Sequence, residues 1–228
     1  MSLTREDLEN GVMLRFWQEH NRHRPCKTAE QLDQEADAFL RGFDDSGDPW
    51  VFGYGSLIWN PLFDYAERVP ATLEGFHRRF CLWSKHGRGS PDNPGLVLGL
   101  DRGGSCHGVA FRIPRAIACR ELRLVWRREM ISDAYVARWL PARTGAGEVR
   151  AFALVINPDN EHYAGELSIE QMVETISTAA GRLGSSREYL YRTVESLREH
   201  GVSDAMLDEL HWRVNAQAAL EFPDAGDE

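Results

Sequence analysis

No stretch of this 228-residue chain approaches the ~20 consecutive apolar residues that carry a helix across a bilayer. Nor does it open on a basic segment followed by the apolar core of a secretory leader. A soluble, cytoplasmic protein with no membrane partner is therefore expected. Positive charge is also in short supply: 26 Lys and Arg stand against 35 Asp and Glu, for a net charge of −9. Binding to a phosphate backbone needs clustered cations, so nucleic acid is not expected as a partner. Cysteine is sparse and unpatterned. Cys26, Cys81, Cys106 and Cys119 show no Cys-x-x-Cys spacing, which argues against a disulfide scaffold and predicts reduced, packed thiols. Internal repeats and low-complexity tracts are absent as well.

The spacing His20-x-x-His23-x-x-Cys26 sets soft ligands about one helical turn apart, a pattern suited to zinc. Yet the segment is basic, is broken by Pro25 and lacks a fourth ligand. It reads as a solvated loop between helices, and no metal or cofactor is expected.

What the chain does contain is 43% hydrophobic residues, enough for the core of one large domain or of a domain with an appendage. Its first fifty residues read as two amphipathic helices. Thr4 caps the first, with Leu8, Val12, Phe16 and Trp17 along one side; Thr28 with Gln31 forms a capping-box pattern ahead of Leu32, Ala36, Phe39 and Leu40. Such an extension is either a lid or oligomer contact, or an appendage packed on the core. The polar run Asp44 to Pro49 marks its boundary. Strands are predicted at Val51 to Tyr54, Leu73 to Ser84, Leu96 to Leu100 and Gly104 to Phe111. Ile131 to Ala142 and Glu148 to Asn157 should form a hairpin. Pro114 to Arg128 predicts a helix that delivers Glu129 to its C-terminal end. Ser168 with Gln171 and Ser185 with Glu188 mark two further helix starts, and Asp204 to Ala219 is another helical pattern. The class is α+β, with a mainly antiparallel sheet.

The most informative run is Trp50-Val51-Phe52-Gly53-Tyr54-Gly55-Ser56-Leu57-Ile58-Trp59-Asn60, in which two glycines bracket a tyrosine where an apolar strand must end. Glycines there permit unusual backbone conformations and remove side chains, so several N–H groups can converge on an anion or a developing oxyanion. A tight turn without a ligand is the alternative. Downstream lie Gly75-Phe76-His77-Arg78-Arg79-Phe80, the Gly/Pro-rich Gly87 to Gly95, Gly108-Val109-Ala110-Phe111-Arg112-Ile113-Pro114, Arg128-Glu129-Met130 and Glu188-Tyr189-Leu190. In order and spacing these resemble the ChaC-like family of glutathione-specific γ-glutamylcyclotransferases, from about Trp50 to about Asn215.

The resemblance implies that the sheet closes into a small barrel with helices outside it. It also implies a reaction in which the α-amine of the γ-glutamyl group attacks that group's own γ-carbonyl, releasing 5-oxoproline and Cys-Gly. Such a reaction needs a positioned carboxylate to move protons and donors for an oxyanion, with the nucleophile supplied by the substrate. Glu129 matches the family's catalytic position. Read by itself, a Glu beside Arg127 or Arg128 is usually a solvated surface ion pair, and it is the resemblance that favours the catalytic role. At a helix C-terminus the macrodipole would raise its proton affinity if it were partly buried. The Tyr54-Gly55-Ser56-Leu57 turn would bind the γ-glutamyl portion, with Tyr54 and Ser56 as side-chain donors and Leu57 packed beneath. Tyr189 would close the same pocket, or face the core as a tyrosine on an amphipathic helix often does. Some members carry a second Glu where this chain has Arg120, leaving Glu121 beside it as a candidate replacement. Lys85, His86 and Arg88 flank the Gly/Pro-rich loop and offer charge to the glycine carboxylate of glutathione. The expected division is a helical extension at 1–49, a catalytic domain at 50–217 and an acidic tail at 218–228. The alternatives are a cyclotransferase for other γ-glutamyl amines and a non-catalytic regulator of cation transport. The sequence assigns no oligomeric state.

Overall fold

Side-chain caps begin several helices at the positions the sequence marks. The computed structural model describes residues 3–22, 26–43 and 46–221. In it, Thr4 with Asp7 and Thr28 with Gln31 close capping boxes at the starts of α1 (Arg5–Glu9) and α3 (Ala29–Arg41). The single helix expected from Thr4 onward is divided, because Gly11 takes a left-handed φ of 66° and α2 (Val12–His20) starts anew after it. His23, Asp44, Asp45 and the tail past Glu221 lie outside the described residues.

From Trp50 the chain becomes strand-rich. β1 (Trp50–Gly53) runs into the short α4 (Ser56–Trp59). A long hairpin of β2 (Glu67–Ser84) and β3 (Gly95–Arg112) precedes α5 (Arg115–Glu129), and a second hairpin of β4 (Tyr135–Thr144) and β5 (Gly147–Ile156) follows it. The described residues end with α6 (Ile169–Thr178), the small hairpin of β6 (Ala180–Gly181) and β7 (Gly184–Ser185), α7 (Ser186–Glu199) and α8 (Ala205–Glu221). The sheet closes as a barrel in the order β1-β3-β2-β4-β5. Its pairings are antiparallel except β1 with β5, where Trp50 faces Ala151 and the barrel shuts.

Two departures from expectation have local causes. The strands predicted at Leu96 to Leu100 and Gly104 to Phe111 are one, because β3 runs on through Asp101 to Gly104. Its partner is irregular at the same level, between Glu74 and Phe76, and Gly75, Gly103 and Gly104 all take positive φ, so the pair bends without separating. Conversely, Ile131 to Ala134 is not strand. The chain turns there through Asp133 at φ 53°, and β4 begins only at Tyr135.

The N-terminal helices share the barrel's core. Leu14, Leu32 and Ala36 belong to the same buried cluster as Phe52, Phe111 and Phe152. Phe39 of α3 stacks on Trp139 at 4.8 Å and meets Phe152 at 5.0 Å and Trp126 at 5.2 Å. Ion pairs fix α3 along α5, Arg123 with Asp37 at 2.5 Å and Arg127 with Asp33 at 2.6 Å. Among the described residues no helix is long and apolar enough to cross a membrane.

Candidate active site

β1 is buried from Val51 to Gly53, so the chain emerges from the core at Tyr54 and must reverse at once into α4. Neither Gly53 nor Gly55 has positive φ; what they supply is room. A Cβ on Gly55 would lie 2.7 Å from the Tyr189 hydroxyl, and one on Gly53 would lie 3.0 Å from the Phe111 ring. Tyr189 reaches that gap from α7. It accepts a hydrogen bond from the Leu98 N–H at 3.4 Å, and its ring meets those of Trp59 and Phe80 edge-on, each at 6.1 Å.

α5 brings Glu129 to the same place as its last residue. Arg128 joins the helix end to the turn: its Nε lies 2.8 Å from Glu129 Oε1, its Nη2 donates to Ser56 Oγ at 2.8 Å, and its Nη1 donates to the Asn60 carbonyl. The Glu129 side chain is only 15% exposed. Burial raises its pKa above the ordinary 4.5, and the Arg128 guanidinium pulls it part of the way back. Desolvation, rather than the helix dipole invoked from the sequence, is thus the main source of its proton affinity.

Tyr54, Gly55, Ser56, Leu57, Glu129 and Tyr189 line one small inner cavity of about 20 Å³, together with Leu98, Tyr135 and Leu154. It adjoins an outer cleft of about 290 Å³, to which Ser56, Glu129, Tyr135 and Tyr189 also contribute. Leu57 is buried beneath the turn. The hydroxyl of Tyr54 is committed, donating to the Leu154 carbonyl at 2.9 Å, so as a donor to a ligand Tyr54 is already used; its oxygen can still accept. The three phenols stay neutral: burial raises Tyr54 and Tyr135 well above 10 and pushes Tyr189 up to about 12.

Several of the residues around the cleft carry little signal in the sequence. Tyr135, at the start of β4, donates to the Leu98 carbonyl at 3.2 Å, and an aromatic residue in a strand looks like packing. Arg88, weighed only as a loop cation, is buried between Trp59 at 5.5 Å and Tyr189 at 5.6 Å, with Glu188 at 3.1 Å. Burial lowers its pKa and Glu188 opposes the shift. Arg192 pairs with the same carboxylate at 3.1 Å and lies 5.2 Å over Trp59. The cleft thus combines one shielded carboxylate, cationic walls and the first N–H groups of α4, which have no partners within their own helix.

A family model described as ChaC-like protein matches residues 49–217. The chain belongs to the ChaC-like family. It is 36% identical over 198 residues to the glutathione-specific γ-glutamylcyclotransferase of Escherichia coli (strain K12), covering 86% of each chain. Glutathione-specific γ-glutamylcyclotransferase 1 of Danio rerio is 33% identical over 167 residues, covering 71% of this chain and 84% of that one. Among solved structures, a γ-glutamylcyclotransferase specific to glutathione from yeast superposes with a TM-score of 0.68 at 24% identity, over 75% of this chain and 97% of the other. That likeness concerns the fold, and agrees with the closed barrel and outer helices.

In this ChaC-like chain neither Arg120 nor Glu121 lines the cleft. Glu121 is fully buried on another side of α5, where it accepts from Arg5 at 2.7 and 3.0 Å, from the Asp64 N–H at 2.8 Å and from Arg120 at 2.6 Å. Burial works to raise its pKa, but these donors outweigh it and hold the carboxyl below its usual range. The candidate replacement therefore anchors α1 instead. In the His20-x-x-His23-x-x-Cys26 spacing, His20 Nδ1 lies 2.8 Å from the Phe16 carbonyl and Cys26 Sγ 3.7 Å from that of Asn21. Among the described residues no group of three His, Cys, Asp or Glu side chains is placed to hold a metal ion.

Proposed function

We propose that this chain is a glutathione-specific γ-glutamylcyclotransferase, with 50–217 as the catalytic unit and 1–49 as an extension docked on it. The observation that carries the reading is the Glu129 carboxylate, shielded from water, raised in proton affinity and tied by Arg128 to the Tyr54–Leu57 turn. Glu129 takes a proton from the α-ammonium of the γ-glutamyl group. The freed amine attacks its own γ-carbonyl carbon, the new C–N bond closes a five-membered ring, and the carbonyl electron pair moves to oxygen. N–H groups of Gly55, Ser56 and Leu57 stabilise that oxyanion. Its collapse breaks the bond to the cysteinyl nitrogen. Over the cycle two protons pass from the attacking nitrogen, which ends as the amide of 5-oxoproline, to the leaving nitrogen, which ends as the ammonium of Cys-Gly. Glu129 relays them, and its raised proton affinity suits both transfers. Ser56 and Tyr189 frame the γ-glutamyl end.

The names of the relatives from Escherichia coli and Danio rerio support this substrate. Among the described residues Cys26, Cys81, Cys106 and Cys119 form no disulfide, in keeping with a reducing, cytoplasmic location. Purified protein without added metal should release equimolar 5-oxoproline and Cys-Gly from glutathione. Cleavage of γ-glutamyl-alanine should be slower by at least about tenfold in kcat/KM. Equal values would leave a cyclotransferase for other γ-glutamyl amines, whereas a regulator of cation transport would release nothing and has no use for a carboxylate held beside the turn.

A further inference from the structure

Beside the cleft that holds Glu129 lies a second cavity, of about 190 Å³, that the reaction at Glu129 leaves unused. The two share Met13, Ser84, Gly87, Val97, Arg128 and Leu183 at their boundary. The two cavities are therefore immediate neighbours along one wall. Their electrostatics differ. The first cleft carries two carboxylates, Glu129 and Glu188, whereas the second has none among its described lining residues, and its formal charges are the cations Lys85, Arg128 and Arg182. The rest of its wall is largely apolar and aromatic. Phe16 and Trp17 of α2 supply one side, with the His86 ring edge-on to both at 6.2 and 6.1 Å. The Arg182 guanidinium, in the β6–β7 turn, lies 4.6 Å over the Phe16 ring.

Glutathione is asymmetric in the matching sense. Its γ-glutamyl end brings an ammonium as well as a carboxylate, while its other end brings a thiol on a short apolar stem and a lone carboxylate. We propose that the second cavity is the subsite for the leaving half of the substrate, with the glycine carboxylate held by Lys85 and Arg182 and with α2 as a wall; this rests on the cyclotransferase reading above. Under this arrangement the N-terminal extension sets substrate choice. Lys85 and Arg182 are specificity residues distant from the reacting atoms. Binding energy from that carboxylate orients the γ-glutamyl group for attack.

The test compares kcat/KM for 5-oxoproline release from glutathione and from its glycine amide, which keeps the shape but not the terminal charge. The wild type should favour the free acid by about tenfold or more, as expected when a charged hydrogen-bonded pair is lost. In a Lys85→Met, Arg182→Met double variant that ratio should fall toward one through loss on glutathione, and Arg182→Lys should keep much of it. Arg182 is exposed and Lys85 half-buried, and the wild-type comparison depends on no variant folding. A wild-type ratio near one, or variants that lose both peptides equally, would overturn the subsite and leave the cyclotransferase reading in place. Absence of 5-oxoproline release from both peptides would overturn that reading and the subsite with it.

Discussion

Glu129→Gln separates chemistry from architecture. Gln keeps the length and planarity of Glu, and its amide oxygen can still accept from Arg128 Nε, which lies 2.8 Å from the native carboxylate. Exchanging a charge-assisted hydrogen bond for a neutral one costs about 1 kcal/mol. Removing an ionised group from a site where burial disfavours its charge works in the opposite direction. The two effects oppose each other, so fold and affinity for a non-reactive glutathione analogue should change little. Proton relay, however, is lost outright. General acid–base catalysis contributes about 10²–10⁴-fold, so kcat should fall by that factor or more, about 2.7–5.4 kcal/mol of barrier. The sign of the pH effect follows from the raised pKa. Ionising Glu129 opposes folding, so its contribution to stability is full below the ordinary value of 4.5 and is lost as pH rises through the higher folded value. Gln does not titrate. The melting temperature of the variant relative to wild type should therefore increase between about pH 4 and about pH 8. The wild-type kcat/KM should decline on the acid side with a midpoint above 4.5. Thermal melts at the two pH values and initial rates of 5-oxoproline release check both. A variant that kept more than about a tenth of kcat, above what loss of an acid–base group allows, or a melting difference flat in pH, would refute the assignment.

Glu121→Gln should behave in the reverse way: it disrupts the buried contact with Arg5 and costs about 1–3 kcal/mol in a denaturant titration, with kcat within about threefold of wild type, far less than loss of an acid–base group. Because the folded carboxyl titrates low, that stability difference is present above the ordinary pKa of 4.5 and shrinks as pH falls through the folded value. Gly55→Ala sets a methyl group 2.7 Å from the Tyr189 hydroxyl, so overpacking of about 1–3 kcal/mol and a fall in kcat/KM are expected; unchanged kinetics would show that the Tyr189 approach is dispensable. A chain starting at Asp48 loses Asp33, Glu35 and Asp37, which bind Arg127, the Trp126 indole and Arg123 of α5. It should melt well below the full chain and, where folded, show a KM raised more than its kcat is lowered. Wild-type stability and kinetics in that truncated chain would make the extension a passive appendage.

The elements legible in the sequence are those whose causes are local. Thr4 with Asp7, Thr28 with Gln31 and Ser168 with Gln171 cap helices through residues three apart, and a helix read from Pro114 onward places Glu129 at its end, as observed. The small residues of the Gly53-Tyr54-Gly55 turn were equally visible, although their purpose was not. Only the tertiary structure showed that Gly55 makes room for a hydroxyl arriving from α7, because that neighbour lies more than a hundred residues away in the chain. The same holds for Arg88, which became part of a wall when Trp59, Tyr189 and Glu188 closed on it, and for Tyr135, marked in the sequence only as a strand aromatic. Glu121 was a candidate for the site by position along the chain, yet the turn of α5 points it at Arg5. Local sequence sets caps, turns and periodicity through contacts between near neighbours. Burial, pKa and the walls of a cleft depend on which distant segments pack together, and the three-dimensional fold alone decides that.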